Sequence, residues 1–168
     1  MEIVNRELLS KSKESGELRI IKERTEEFDI GWVFYYQSAR FLETGNFSNL
    51  LVGNAPFFVA RSDGQIFPIS YHRPINESLA AYRACGNPNA HEVPEVVLTG
   101  WKTGAAPVSA IQAIRQHSSI GLGEAKQVID DCLASQKAVV VVNNVPDARA
   151  LIASLASSGF VAESRYDG

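Results

Sequence analysis

The segment Gly86-Asn87-Pro88-Asn89-Ala90-His91-Glu92-Val93-Pro94 most limits the folds open to this chain. Two prolines and a glycine fall within it, with no apolar period of helix or strand, so neither element is expected to run through. On either side lies a stretch of roughly 80 residues, modest for an independent core but long enough to build one. With 45% hydrophobic and 21% charged residues there is apolar material for both. The expectation is two small domains, 1–86 and 95–168, joined by a linker at 87–94.

In the first domain, Val4 and Leu8 stand at helical spacing and Gly16 marks a helix exit. Leu18 to Thr25 reads as a strand, and Glu26-Glu27-Phe28-Asp29 as a charged turn into a long run from Ile30 to Leu42. Within that run Trp32, Val33, Phe34, Tyr35 and Tyr36 place bulky groups on both alternating faces, the pattern of a strand covered on both sides and central in its sheet. Loop chemistry follows from Glu43 to Asn49, and Gly53-Asn54-Ala55-Pro56 is a second breaker. Phe57 to Ala60 and Gln65 to Tyr71 flank Ser62-Asp63-Gly64, where Asp-Gly supplies the positive φ angles of a hairpin. Pro74 then opens a helix with Ile75, Leu79 and Tyr82 on one face, closed by Cys85.

The second domain reads as a short strand from Glu95 to Trp101 and a helix from Pro107 with Val108, Ile111 and Ile114 inward. A break at Ser118 to Gly121 leads to a helix carrying Leu122, Ala125, Val128, Ile129 and Cys132. Val139 to Val142 is a buried strand, Pro146 starts a third helix, and Phe160 to Tyr166 is the last strand. The order is β-α-α-β-α-β, a small sandwich of three strands covered by three helices. The fold class expected for the whole is α+β: an N-terminal antiparallel sheet flanked by helices, then this sandwich.

Charge and composition remove several classes of function. The net charge is −3, with ten Lys/Arg against eleven Asp/Glu up to residue 88 and six against eight beyond it. Neither half is the basic module that coats nucleic acid, so no nucleic-acid partner is expected. No run approaches the ~18 apolar residues of a membrane span, and the first residues lack a signal-peptide plan, so a cytoplasmic protein is expected. Cys85 and Cys132 are too far apart in sequence for a metal-binding or redox pair motif.

The search for chemistry is equally thin. His72, His91 and His117 share no metal-ligand spacing, and neither metal nor cofactor is expected. A Cys85 nucleophile paired with His72 or His91 has no accompanying oxyanion logic, so an inert cysteine is the ordinary reading. Ile120-Gly121-Leu122-Gly123-Glu124-Ala125-Lys126 invites a phosphate loop, but Glu124 puts negative charge where an anion would sit. The aromatics Trp32 to Tyr36 lack interleaved cations and read as core, not as a base-stacking platform. A polar surface without chemistry suits a protein that binds another protein.

Residues Gly31 to Ser38, Leu42-Glu43-Thr44-Gly45-Asn46-Phe47, Gly53-Asn54-Ala55-Pro56, Asp63-Gly64 and Arg73-Pro74-Ile75, in that order, resemble the immunity protein 35 (YrhB-like) family over roughly 1–86. The family's usual small residue or Thr-Ala before Arg-Pro is here Tyr71-His72. The resemblance implies a non-enzymatic bacterial protein of a polymorphic-toxin system that binds a cognate toxin, with a chaperone-like holdase as the alternative. The second half, through Pro107 to Arg115, Gly121 to Lys126, Pro146-Asp147-Ala148 and Ser158-Gly159, resembles the C-terminal domain of the bacterial ribosomal stalk protein. That resemblance implies translation-factor contact through Arg115, Gly121 and Lys126, weakened because Pro107 and Gln112 stand where lysines are expected. The contact residues expected from these readings are Glu26, Glu27, Asp29 and Glu43 as an acidic set for a basic toxin, Asn46, Phe47 and Asn54 in loop 43–56, and Arg115 and Lys126 in the second domain. Oligomeric state is left open.

Overall fold

The computed structural model describes residues 16–168, so the helix expected around Val4 and Leu8 lies outside the described residues. The chain divides between Asn89 and Ala90 into two compact units. Both are mixtures of helices and antiparallel sheet, the expected α+β class.

In unit 1 the elements are β1 (Leu18–Ile20), β2 (Glu26–Phe28), β3 (Gly31–Phe34), β4 (Tyr36–Ser38), α1 (Ala39–Thr44), β5 (Phe57–Ala60), β6 (Ile66–Pro68) and α2 (Ile75–Cys85). An antiparallel sheet runs β2-β3-β5-β6, and β1 pairs with β4 in a separate ladder. β3 is interior, as its two-sided pattern predicts. Val33 packs with Phe58, Ala60, Ile69 and Leu79, while Phe34 packs with Leu18, Tyr36, Phe57 and Val59. Phe57 and Phe58, the register partners of Phe34 and Val33, are fully buried, one in each cluster. Burial of each ring contributes about 2–3 kcal/mol.

Three expectations in this unit are corrected. The strand expected from Leu18 to Thr25 stops at Ile20, because Arg24 N–H turns back to the Ile21 carbonyl at 3.1 Å and forms the single 3-10 turn Lys22–Arg24. Glu26-Glu27-Phe28 is an edge strand and not a turn, with its carboxylates on the solvated border where charge keeps an edge from pairing further. The run Ile30 to Leu42 is not one strand. At Tyr35, whose carbonyl accepts from Ile21 N–H at 2.8 Å, the chain leaves one sheet for the other. Ser38 then accepts from Phe41 N–H at 3.3 Å and caps α1. Gly45, at φ 66°, ends that helix in the left-handed conformation a residue without Cβ adopts at no steric cost.

Unit 2 has β7 (Glu92–Trp101), α3 (Pro107–His117), α4 (Leu122–Leu133), β8 (Ala138–Val141), α5 (Val145–Ser157) and β9 (Phe160–Tyr166), the expected β-α-α-β-α-β order. The sheet runs β8-β7-β9, antiparallel throughout. Val96, Leu98, Ile114, Ile129, Leu151, Leu155 and Phe160 form its buried core.

Residues 92–94, expected in the linker, belong to β7. Glu92 and Val93 pair with Tyr166 and Arg165, and Pro94 falls where the register shifts between Val93 and Val96. A bulge tolerates a residue without N–H, and the Pro94 carbonyl still accepts from Val142 N–H at 2.9 Å. Val108, expected inward, is 69% exposed. The buried residues of α3 are Ala110 and Ile114, one turn apart, and Val108 lies two positions off that stripe, nearly opposite on the helix. Leu122 is exposed at the first residue of α4, and Val139 and Val141 face outward from an edge strand whose Ala138 and Val140 are buried.

Candidate functional site

Unit 1 presents a segment, residues 39–56, that side chains pin to the sheet. Gln37, only 8% exposed, does most of this. Its Oε1 accepts from Leu51 N–H at 2.6 Å and Ser38 N–H at 2.8 Å, while Nε2 donates to the Leu51 carbonyl at 3.0 Å. The side-chain amide thus takes the place of a neighbouring strand's backbone. Asn54 Nδ2 donates to the Tyr36 carbonyl at 2.6 Å. Asn46 accepts from Ser48 N–H at 3.0 Å and caps the short 3-10 helix Phe47–Asn49. Thr44 Oγ1 donates to the Arg40 carbonyl at 2.7 Å. A segment held this way has little conformational freedom left to lose on binding. From it Phe47 projects with 79% of its surface exposed, Val52 with 81%, and Leu42 with 43%.

The four expected acidic residues do not form a free negative face. Glu27 pairs with Arg61 at 2.6 Å, Glu43 with Arg19 at 2.7 Å, and Asp29 with Arg83. The Arg83 hydrogen bond holds the Asp29 carboxyl below the usual carboxylate range. Glu26 accepts from Tyr35 Oη at 3.0 Å. The three ion pairs are exposed and contribute little to stability, but they offset the charges of Glu27, Asp29 and Glu43, while the Tyr35 hydroxyl leaves that of Glu26 in place. By contrast Arg24 and Arg40 make no ion pair with any described residue.

Two grooves border the pinned segment. One, of about 390 Å³, lies at the Tyr35 bend and is lined by Arg24, Tyr35, Asn54, Pro56, Tyr71 and Arg73 among others, with no carboxylate among its lining residues. The Arg24 guanidinium sits 4.7 Å over the Tyr35 ring, and Tyr71 is 57% exposed. The second, of about 590 Å³, is lined by Glu17, Arg40, Glu43 and Ser48 among others. Arg24, Val52, Tyr71 and Arg73 were not legible as site residues. The available signal was a large apolar or aromatic residue set in loop chemistry, Val52 just before Gly53-Asn54 and Tyr71 just before His72-Arg73-Pro74.

In unit 2, Arg115 and Lys126 are exposed, and neither pairs with a described residue. Val108, Gln112 and Arg115 make one exposed stripe of α3, and Leu122, Lys126 and Asp130 one of α4. The Gly121 N–H donates to the Glu124 carboxylate at 3.0 Å, so the donor an anion would need is taken. Cys85 Sγ donates to the Ala81 carbonyl at 3.3 Å and the Asn87 carbonyl at 3.8 Å, and shares no hydrogen bond with His72. Burial pushes the Cys132 thiol pKa up. Among the described residues no group of His, Cys, Asp and Glu could hold a metal, and no helix is long and apolar enough to cross a membrane.

His117, at the end of α3, meets Asp147, in the first turn of α5, with Nδ1 and Oδ1 3.1 Å apart. That hydrogen bond first, and then those from Asn143 and Asn144, hold the Asp147 carboxyl below its ordinary pKa. A carboxylate depressed in the folded state stabilises above its unfolded pKa of ~3.9 and loses that contribution as pH falls through the lower folded value. Calorimetry from about pH 7 to about pH 3 should therefore show the wild-type melting temperature falling more steeply at the acid end than that of Asp147→Asn. Parallel curves would reject the contact.

A family model described as Immunity protein 35 matches residues 2–85. The Escherichia coli (strain K12) protein named Uncharacterized protein YrhB is 38% identical over 55 residues, which is 33% of this chain and 58% of that relative's length. No solved structure matches the chain, and the comparisons give no support to the stalk-protein resemblance of residues 95–166. Half of the chain lies within the family match, and the chain belongs to the immunity protein 35 family.

Proposed function

We propose that this protein neutralises a cognate toxin of a polymorphic-toxin system in the cytoplasm by stoichiometric, non-catalytic binding. The contact is the pinned segment of unit 1. What carries the reading, within a family named for immunity, is the exposure of Leu42, Phe47 and Val52 on backbone that Gln37 and Asn54 hold fixed. Recognition concentrates on loops borne by a rigid scaffold, and aromatic anchors dominate interface energies. Glu43 and Asn46 flank the apolar groups as a polar rim, whereas Asn54 shapes the loop because its amide is spent on Tyr36.

The test is co-expression with the product of the neighbouring toxin gene. Growth should be restored, and a complex should survive size-exclusion chromatography; neither occurring rejects the reading. Phe47→Ala and Val52→Asp should each weaken that complex by ~2 kcal/mol, the scale of an interface anchor. Their unfolding free energies in urea should stay within ~0.5 kcal/mol of wild type, because both side chains are largely exposed. Undiminished binding by both variants would move the contact elsewhere.

A second reading concerns unit 2, where Val108 and Leu122 are exposed on helices that also display Arg115 and Lys126. This reading, a translation-factor or ribosome contact, rests on the exposure of those two cations. It predicts co-sedimentation with ribosomes that Arg115→Ala or Lys126→Ala abolishes.

A further inference from the structure

We infer that the groove at the Tyr35 bend receives an acidic segment of the protein partner, opposite in sign to the basic partner that Glu26, Glu27, Asp29 and Glu43 suggest as a sequence. The partner's identity rests on the toxin-binding reading; its charge rests on the groove alone. Among the arginines described in unit 1, Arg19, Arg61, Arg73 and Arg83 each meet a carboxylate. Arg24 and Arg40 meet none among the described residues, and each lines a groove. The second groove also contains Glu17 and Glu43, so its charge is balanced. The first contains Arg24 and Arg73 and no carboxylate.

Its geometry suits a carboxylate beside an aromatic or apolar group. Tyr35, tethered to Glu26 at 3.0 Å, supports the Arg24 guanidinium from below at 4.7 Å. A guanidinium held over an aromatic ring need spend no N–H on a protein acceptor, which leaves donors for bidentate carboxylate recognition. Arg73 is already engaged with the Pro88 and Glu77 carbonyls at 3.4 Å and stands 3.7 Å from the Glu77 carboxylate, so Arg24 holds most of the unspent charge. Tyr71 supplies an exposed aromatic wall. Asn54 and Pro56, the end of the pinned segment, form another wall.

Random dodecapeptides displayed on phage are selected on the full chain and on its Arg24→Glu variant. Arg24 is exposed in a single 3-10 turn, so the variant keeps its fold, checked by circular dichroism. The expected consensus is Asp or Glu next to an aromatic residue, with binding about tenfold weaker to Arg24→Glu and weaker at high salt. A selection that enriches nothing, a consensus without acidic residues, or acidic peptides that bind both proteins equally overturns the inference. So does a fluorescein-labelled oligodeoxynucleotide that binds more tightly than the peptides and loses binding in Arg24→Glu. Toxin co-expression separates the two claims. If wild type rescues growth and Arg24→Glu rescues equally at limiting expression, the groove is dispensable and the inference falls. If wild type fails to rescue, the toxin reading falls, while the peptide selection still decides the charge of the occupant.

Discussion

Alanine at Gly31 should cost unit 1 on the order of 4 kcal/mol, enough to leave much of it unfolded, because small domains hold little stability in reserve. A Cβ at this position would lie 2.1 Å from the Val59 carbonyl oxygen and 2.8 Å from Phe58 Cε2. The first of these is backbone of β5, hydrogen-bonded to β3 across the Gly31–Ala60 register, so no rotamer change relieves it. The strands would have to separate. That would disturb Phe58, which is fully buried and packs edge-on against Tyr82 at 4.7 Å between ring centroids. Urea unfolding and amide exchange at Val59 and Ala60 measure the effect. A variant with the wild-type midpoint and wild-type exchange would show that β3 and β5 do not approach this closely.

Leucine at Gln37 should destabilise unit 1 by about 2–3 kcal/mol, although leucine has nearly the same volume and the site is buried. Three hydrogen bonds disappear, and the Leu51 N–H and carbonyl lose the partner that replaces a neighbouring strand. The cost falls where the pinned segment is anchored, so Leu51 amide exchange should accelerate more than exchange in β3. On the proposed toxin-binding reading, binding should weaken as well, because the segment that Gln37 holds loosens. Gln37→Glu is the sharper variant. A carboxylate can still accept from Leu51 and Ser38 N–H, but its other oxygen faces the Leu51 carbonyl, so the charged form is disfavoured and its folded pKa rises. A group with a raised folded pKa is best accommodated below its unfolded pKa and loses that advantage as pH rises. Gln37→Glu should therefore approach wild-type stability near about pH 4 and fall away toward neutrality. A Glu variant indifferent to pH, or a Leu variant with wild-type exchange at Leu51, would remove the clamp from the account.

The grooves and the clamp belong to tertiary structure, which is why they escape a reading of local pattern. The acidic run at Glu26, Glu27 and Asp29 looks free in sequence because its partners are remote: Arg61 lies 34 residues from Glu27, and Arg83 lies 54 from Asp29. The break in the run after Phe34 is hidden because Tyr35 and Tyr36 continue the apolar alternation. What ends the strand is the Ile21 N–H reaching the Tyr35 carbonyl and the Ser38 cap on α1, the first of them a contact with the residue just after β1. Val108 is apolar and helical, and only the placement of Ala110 and Ile114 against the sheet decides that it faces water.

By itself the sequence determined the α+β class, the interior place of the strand around Val33, the β-α-α-β-α-β order of the second half and the family of the first. Periodicity and punctuation act between neighbours along the chain, and these features need nothing more. The pairing of the acidic residues, the exposure of Phe47 and Val52 on pinned backbone, and the two arginines gathered in a groove without a carboxylate were decided by tertiary structure alone. Charge and exposure are properties of what lies nearby in space, and here the neighbours come from segments tens of residues apart.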